Sequence, residues 1–176
     1  ENRQAFMRAE SVRLPLPDHL RLFRSELDSR REAEAEEQDK IAEAFDRFKA
    51  KDFVVCDTPG SDSYLSRLTH TRADTLITPL NDSFIDLDLL ARVDKDGRKV
   101  LGPSVYSQMV WEQRLARART GAKPIDWVVM RNRLSQLDAR NKRDIAALLT
   151  DLAKRIGFRL APGFGERVIF RELFVK

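Results

Sequence analysis

Three short apolar runs, separated by segments of helical period, constrain this chain more than any other feature. Phe53-Val54-Val55-Cys56, the stretch Thr75–Thr78 and the stretch Ile125–Met130 hold too few polar positions for strands with one solvated face. Such runs suit strands buried on both faces of a sheet. Between and after them lie helix-like stretches at 63–72, 84–91, 104–119 and 137–156. The last of these places Ile145, Leu148, Leu149, Leu152 and Ile156 on one face. Strand–helix alternation requires right-handed crossovers. The expected fold is therefore α/β, a three-layer, doubly wound, mostly parallel sheet with helices on both faces. Ligands of such sheets bind beyond the carboxyl ends of the strands, so those ends are where chemistry is to be sought.

The rest of the chain is read as one domain, 1–176. Residues 1–10 read as the tail of a helix with no N-capping signal, and 11–17 as a short edge strand that tolerates its prolines. A charge-dense helix covers about 28–49, with Ile41, Ala44, Phe45 and Phe48 on its apolar face and an acidic, solvated half at 32–39. A polar loop runs through Asp94-Lys95-Asp96-Gly97, a brief strand is expected near 158–160, and a helical segment from Glu166. A hydrophobic share of 42% suffices for a core and argues against wholesale disorder. No apolar run approaches the ~18–20 residues of a membrane span, and the single cysteine, Cys56, excludes an intrachain disulfide framework. The expectation is a cytoplasmic protein without a membrane partner.

The first run ends in Asp57-Thr58-Pro59-Gly60. An aspartate closing an apolar strand is how P-loop NTPases hold magnesium, usually through a water, and a nearby glycine lets backbone approach a phosphate. An aspartate there can equally be a simple strand-end cap. The second and third runs end in Thr78-Pro79-Leu80-Asn81-Asp82-Ser83 and Arg131-Asn132-Arg133. These strings, with Arg72-Ala73-Asp74, Val110-Trp111-Glu112, Asp126-Trp127-Val128-Val129, Ala153-Lys154-Arg155-Ile156-Gly157-Phe158-Arg159 and Arg171-Glu172-Leu173-Phe174, closely resemble the MipZ-type branch of the ParA/MinD-related P-loop ATPases over nearly the whole chain. The resemblance implies that Asp57 is the Walker B aspartate, acting on Mg2+ through water. It implies that Thr58, Pro59, Gly60 and Asp62 belong to the switch that senses the terminal phosphate. Asn132 would hydrogen-bond adenine, and backbone around Pro162 would pack along the base. It further implies an ATP-dependent homodimer that binds nonspecific DNA, engages ParB and inhibits FtsZ assembly, at the nucleoid and cell pole of a bacterium.

The family's phosphate loop, Lys-Gly-Gly-x-Gly-Lys-Ser/Thr, is not found in these residues, nor is the Asp-x-Asp segment with the catalytic aspartate. Gly163 and Gly165 form the only close glycine pair with basic neighbours and lack both the lysine and the preceding strand. Glu1-Asn2-Arg3 aligns just downstream of the Asp-x-Asp segment. The expectation is a chain without its N-terminal strand and P-loop, holding ATP and Mg2+ only in the intact protein and without turnover alone. The missing strand would lie beside the Asp57 strand, so two strand edges and an apolar groove should stand open.

Between Trp111 and Arg143 nine lysines and arginines face three acidic residues. That balance suits salt-sensitive, sequence-independent DNA contact by Arg114, Arg117, Arg131, Arg133, Arg140, Lys142 and Arg143, or else an ordinary solvated helix face. An alternative function follows: a non-catalytic module that binds DNA or ParB. His19 and His70 have no neighbouring ligand set, Ser61, Ser63 and Ser83 lack a His–Asp partnership, and Asp86 and Asp88 suit a helix's first turn. Cys56 is expected to be a buried, inert thiol, and Trp111 and Trp127 core or interface aromatics.

Overall fold

The computed structural model describes residues 17–81, 84–94, 100–134 and 140–167. The first helix among these residues, α1 (Arg30–Arg47), starts where the Ser29 side chain accepts from the Glu32 N–H, and it buries Glu37 and Ile41. Glu37 is not left bare, because its carboxylate accepts from the Ser25 backbone N–H at 3.0 Å. Helix α2 (Tyr64–Arg72) is capped by Ser63 in the same way. Strand β1 (Thr75–Asn81) follows, then one turn of helix, α3 (Phe84–Leu87), and strands β2 (Ala91–Val93) and β3 (Val100–Pro103). Helix α4 (Val105–Arg119), strand β4 (Asp126–Asn132), helix α5 (Arg140–Leu152) and strand β5 (Arg159–Ala161) complete the order. Between α5 and β5 the helix widens into a π turn at Ala153–Gly157. Gly157 ends it with φ 82°, a conformation costly for any residue with a Cβ.

Strands β1, β4 and β5 form a parallel sheet with β4 in the middle; β2 and β3 form a separate antiparallel pair. The α/β class and the mostly parallel sheet flanked by helices match the sequence expectation. Leu76 and Leu80 of β1 face the same side as Trp127 and Val129 of β4. They share a core with Met109 and Val110 of α4 and Ile145, Leu149 and Leu152 of α5. Both crossovers advance in one direction along the sheet, which puts α4 and α5 on a common face. Helix α2 packs against α4, and α1 against α2. The core encloses a polar chain: the Trp127 indole donates to Thr78 Oγ1 (3.0 Å), which pairs with the Tyr106 hydroxyl at 2.8 Å. Burial pushes the Tyr106 hydroxyl above its usual pKa.

The middle strand is covered on both sides, with Val128 and Val129 at 3% and 0% exposure. The edge strand β1 alternates exposed and buried positions, and Ile77 on its outer face is 55% exposed.

The run Phe53–Cys56 departs from expectation. It belongs to no strand, and Phe53 and Val55 are 89% and 91% exposed. An apolar run becomes a buried strand only where neighbours offer a hydrogen-bond ladder, and none of the described strands pairs with it. Cys56 is accordingly exposed and not buried. The residues at 84–91 form one helical turn followed by β2, where a longer helix was expected. Glu166 and Arg167 are not helical. The readings at 1–16 and beyond 167 lie outside the described residues.

Candidate functional site

The carboxyl ends of β4 and β5 are joined more tightly than a two-strand ladder requires. After Asn132 the chain takes a left-handed turn at Arg133 (φ 51°), a conformation that residues with a Cβ adopt at a cost. The Arg133 N–H donates to Asn132 Oδ1 at 3.0 Å, and the amide NH2 is that side chain's donor group. Beyond the turn the pairing resumes in the register set by Val128↔Arg159, with Leu134 bridging Gly165. Three backbone bonds of 2.9 Å close it: Phe164 N–H to the Arg131 carbonyl, Leu134 N–H to the Phe164 carbonyl, and Glu166 N–H to the Leu134 carbonyl. Pro162 and Gly163 lie inside this clasp, opposite Arg131 and Asn132 by register. The structure thus brings Asn132 and Pro162 to neighbouring strand ends.

The segment bearing Asp57 is not part of that sheet. Asp57, Pro59 and Gly60 are exposed and Thr58 is half-buried. Asp62 is held: both its oxygens accept from Arg67, at 2.7 Å each, and Arg67 also reaches Glu112 of α4 at 3.5 Å. The Arg67 guanidinium keeps the Asp62 carboxyl below its ordinary pKa. Ser61 accepts from Arg24 at 2.9 Å. A cleft of about 530 Å³ opens beside these residues, lined in part by Arg30, Glu34, Asp62, Arg67, Thr71 and Gln113. Its charges cancel in pairs, Arg30 with Glu34 and Arg67 with Asp62, so it offers no uncompensated charge to a ligand.

The basic residues differ in where the fold places them. Arg117 is spent within the fold, donating to the Lys123 carbonyl (2.7 Å), the Thr71 carbonyl (3.3 Å) and Asp74 (2.5 Å). Arg114 donates to the Gly157 carbonyl at 2.8 Å, capping the π turn. Arg131 is half-buried, whereas Arg133 and Arg143 are exposed. Arg140 and Lys142 lie with Arg143 in the first turn of α5, which holds no acidic residue.

A family model described as ATPase MipZ matches residues 1–176. The chain belongs to the MipZ ATPase family. A search of the curated proteins returns no match. Membership gives the coarse function: a ParA/MinD-related ATPase of division-site placement, whose intact form uses a nucleotide and Mg2+ and self-associates. Among the described residues no helix is long and apolar enough to cross a membrane.

The Asn132 amide and the Pro162 backbone lie on adjacent strand ends, where the family resemblance leads one to expect the base. Asp57 lies on an unpaired stretch, and among the described residues no group of three or more His, Cys, Asp or Glu could hold a metal ion. No glycine-rich lysine loop occurs in the 176 residues. Sequence reasoning also passed over the clasp. Its visible trace in the sequence is the pair Gly163 and Gly165, of which Gly163 permits the close backbone approach to Arg131.

Proposed function

We propose that this chain is the magnesium, switch and adenine side of a MipZ-type ATPase, in which ATP drives face-to-face dimerisation. The intact protein then binds DNA without sequence preference, engages ParB and restrains FtsZ assembly. The observation that carries the reading is the juxtaposition of Asn132 and Pro162 at the ends of β4 and β5, inside a chain matched along its whole length by the MipZ model. Adenine presents ring-nitrogen acceptors, and an asparagine NH2 is a suitable donor to them. Asp57, Thr58, Pro59, Gly60 and Asp62 take the metal and switch roles once the Phe53–Cys56 run has a neighbouring strand to pair with. DNA contact falls to Arg133, Arg140, Lys142 and Arg143. Cations at the start of a helix oppose its dipole, and a bound phosphate would relieve that conflict. Arg114 and Arg117 are less suited, since the fold already uses their donors.

A second reading, a non-catalytic DNA- or ParB-binding module, is favoured by the exposed, unpaired Phe53–Asp57 segment. Titration of labelled nonspecific duplex against rising salt, with and without ATP, separates the two. Under the first reading the intact protein needs ATP for tight binding, and Asp57→Ala abolishes the ATP-stimulated binding. Salt-sensitive affinity that ignores ATP and survives Asp57→Ala would establish the module instead. Magnesium-ATP turnover by the 176-residue chain alone would overturn the proposal that its phosphate side is incomplete.

A further inference from the structure

Any side chain at Gly163 would collide with the facing strand unless the backbone there shifted. A Cβ there would stand 2.9 Å from both the Arg131 carbonyl carbon and Leu134 Cδ1, with the Arg131 carbonyl oxygen closer still. Two of those obstacles are backbone, which cannot rotate aside as a side chain would. The close approach is what allows Phe164 N–H to reach the Arg131 carbonyl and Leu134 N–H to reach the Phe164 carbonyl, both at 2.9 Å. On the opposite strand, Arg133 enters the left-handed region to meet them. Strain on one side and a close-packed glycine on the other are maintained together, next to Asn132 and Pro162. A plain end to a two-strand ladder needs neither.

We propose that Gly163 is a positioning residue for nucleotide-base selectivity. By locking the loop after β5 onto the end of β4, it fixes the Pro162 backbone at a set distance from the Asn132 amide. A purine is then read by a rigid pair of edges, one from each strand. The inference rests on the reading of Asn132 and Pro162 as the base side of the pocket. Selectivity between adenine and guanine depends on this rigidity: the 6-amino group of adenine donates where the 6-oxo group of guanine accepts, and a loose edge can adjust to either. Phosphate binding, supplied elsewhere, is unaffected by the clasp.

The test measures binding of ATP and GTP to the intact protein for Gly163→Ala, with Phe164→Pro and Phe164→Ala as a second pair. Phe164→Pro deletes the N–H that meets Arg131, whereas Phe164→Ala keeps it and trims only an exposed ring. Gly163→Ala and Phe164→Pro are expected to lower the ATP-to-GTP preference about tenfold or more, mostly through weaker ATP binding, and Phe164→Ala to retain it. If Gly163→Ala fails to fold, the Phe164 pair decides alone. Unchanged preference in Phe164→Pro, or equal loss in both Phe164 variants, overturns the role of the clasp. A wild-type protein with no preference for ATP over GTP overturns instead the reading of the base site on which the inference rests.

Discussion

Replacing Arg117 with alanine distinguishes a fold-holding arginine from a DNA-holding one. Its side chain, only 11% exposed, ties three pieces together: the end of α2 at Thr71, the entry to β1 at Asp74 and the loop before β4 at Lys123. Asp74 is 92% exposed, so that ion pair contributes under ~1 kcal/mol. A charged donor bonded to a carbonyl contributes about 1.5–3 kcal/mol, and the 3.3 Å bond to Thr71 belongs at the low end. Allowing for non-additivity, Arg117→Ala should cost about 3 kcal/mol. In a domain of this size that lowers Tm by about 6–12 °C. Arg117→Lys should recover only part of the loss, because a single ammonium cannot span three acceptors in a planar fork. Thermal melts of the intact protein, run beside duplex titrations, make the comparison. A melt unchanged within about 1 °C, accompanied by lost DNA affinity, would refute the assignment and return Arg117 to the DNA surface.

Thr78→Val leaves the buried Trp127 indole N–H without its acceptor and should cost about 2 kcal/mol in urea unfolding, while Thr78→Ser costs less than half of that. His70 is buried, and burial holds its pKa below the ordinary 6.5, a pull that Asp62 partly offsets. Because the unfolded state then binds the proton more readily, its contribution is intact above pH ~6.5 and is lost as pH falls through the folded value. His70→Gln should flatten the fall in urea midpoint between about pH 7 and 5; an unchanged slope would assign that fall to other groups. Val55→Asp should shift the stability of the 176-residue chain by less than ~0.5 kcal/mol, since the side chain is 91% exposed. In the intact protein it should cost about 2 kcal/mol or more if the run joins a sheet, and equal small effects in both would argue that it does not.

The readable parts of the fold were those whose partners lie close in the chain. Helices α2, α4 and α5 announce themselves by period, and Ser63 and Ser104 mark two starts to within a residue. Strands β1 and β4 were found because an apolar run flanked by helices has few other uses. Phe53–Cys56 looked the same and failed, because a run of side chains states a preference for burial and says nothing of whether a neighbouring strand is present. The β2–β3 pair has little sequence signal, since its strands are short and the stretch 94–99 between them is charged. Asn132 and Pro162 were named by resemblance, and parallel pairing of β4 with β5 brought them together. Neither the left-handed Arg133 nor the contact that requires Gly163 has a signature in residue types alone; both depend on where the opposite backbone passes.

The one-sided covering of β1 also bears on solubility. An edge strand with exposed Ile77 invites a second copy to extend the sheet. Pro79 sits two residues further on, with no N–H to offer a newcomer, and Thr75 and Asn81 close the same outer row with polar groups. A strand docking there would meet a break in the ladder after its first bonds. Edge-to-edge stacking into fibres is thereby discouraged, while a single strand shaped to skip position 79 remains admissible.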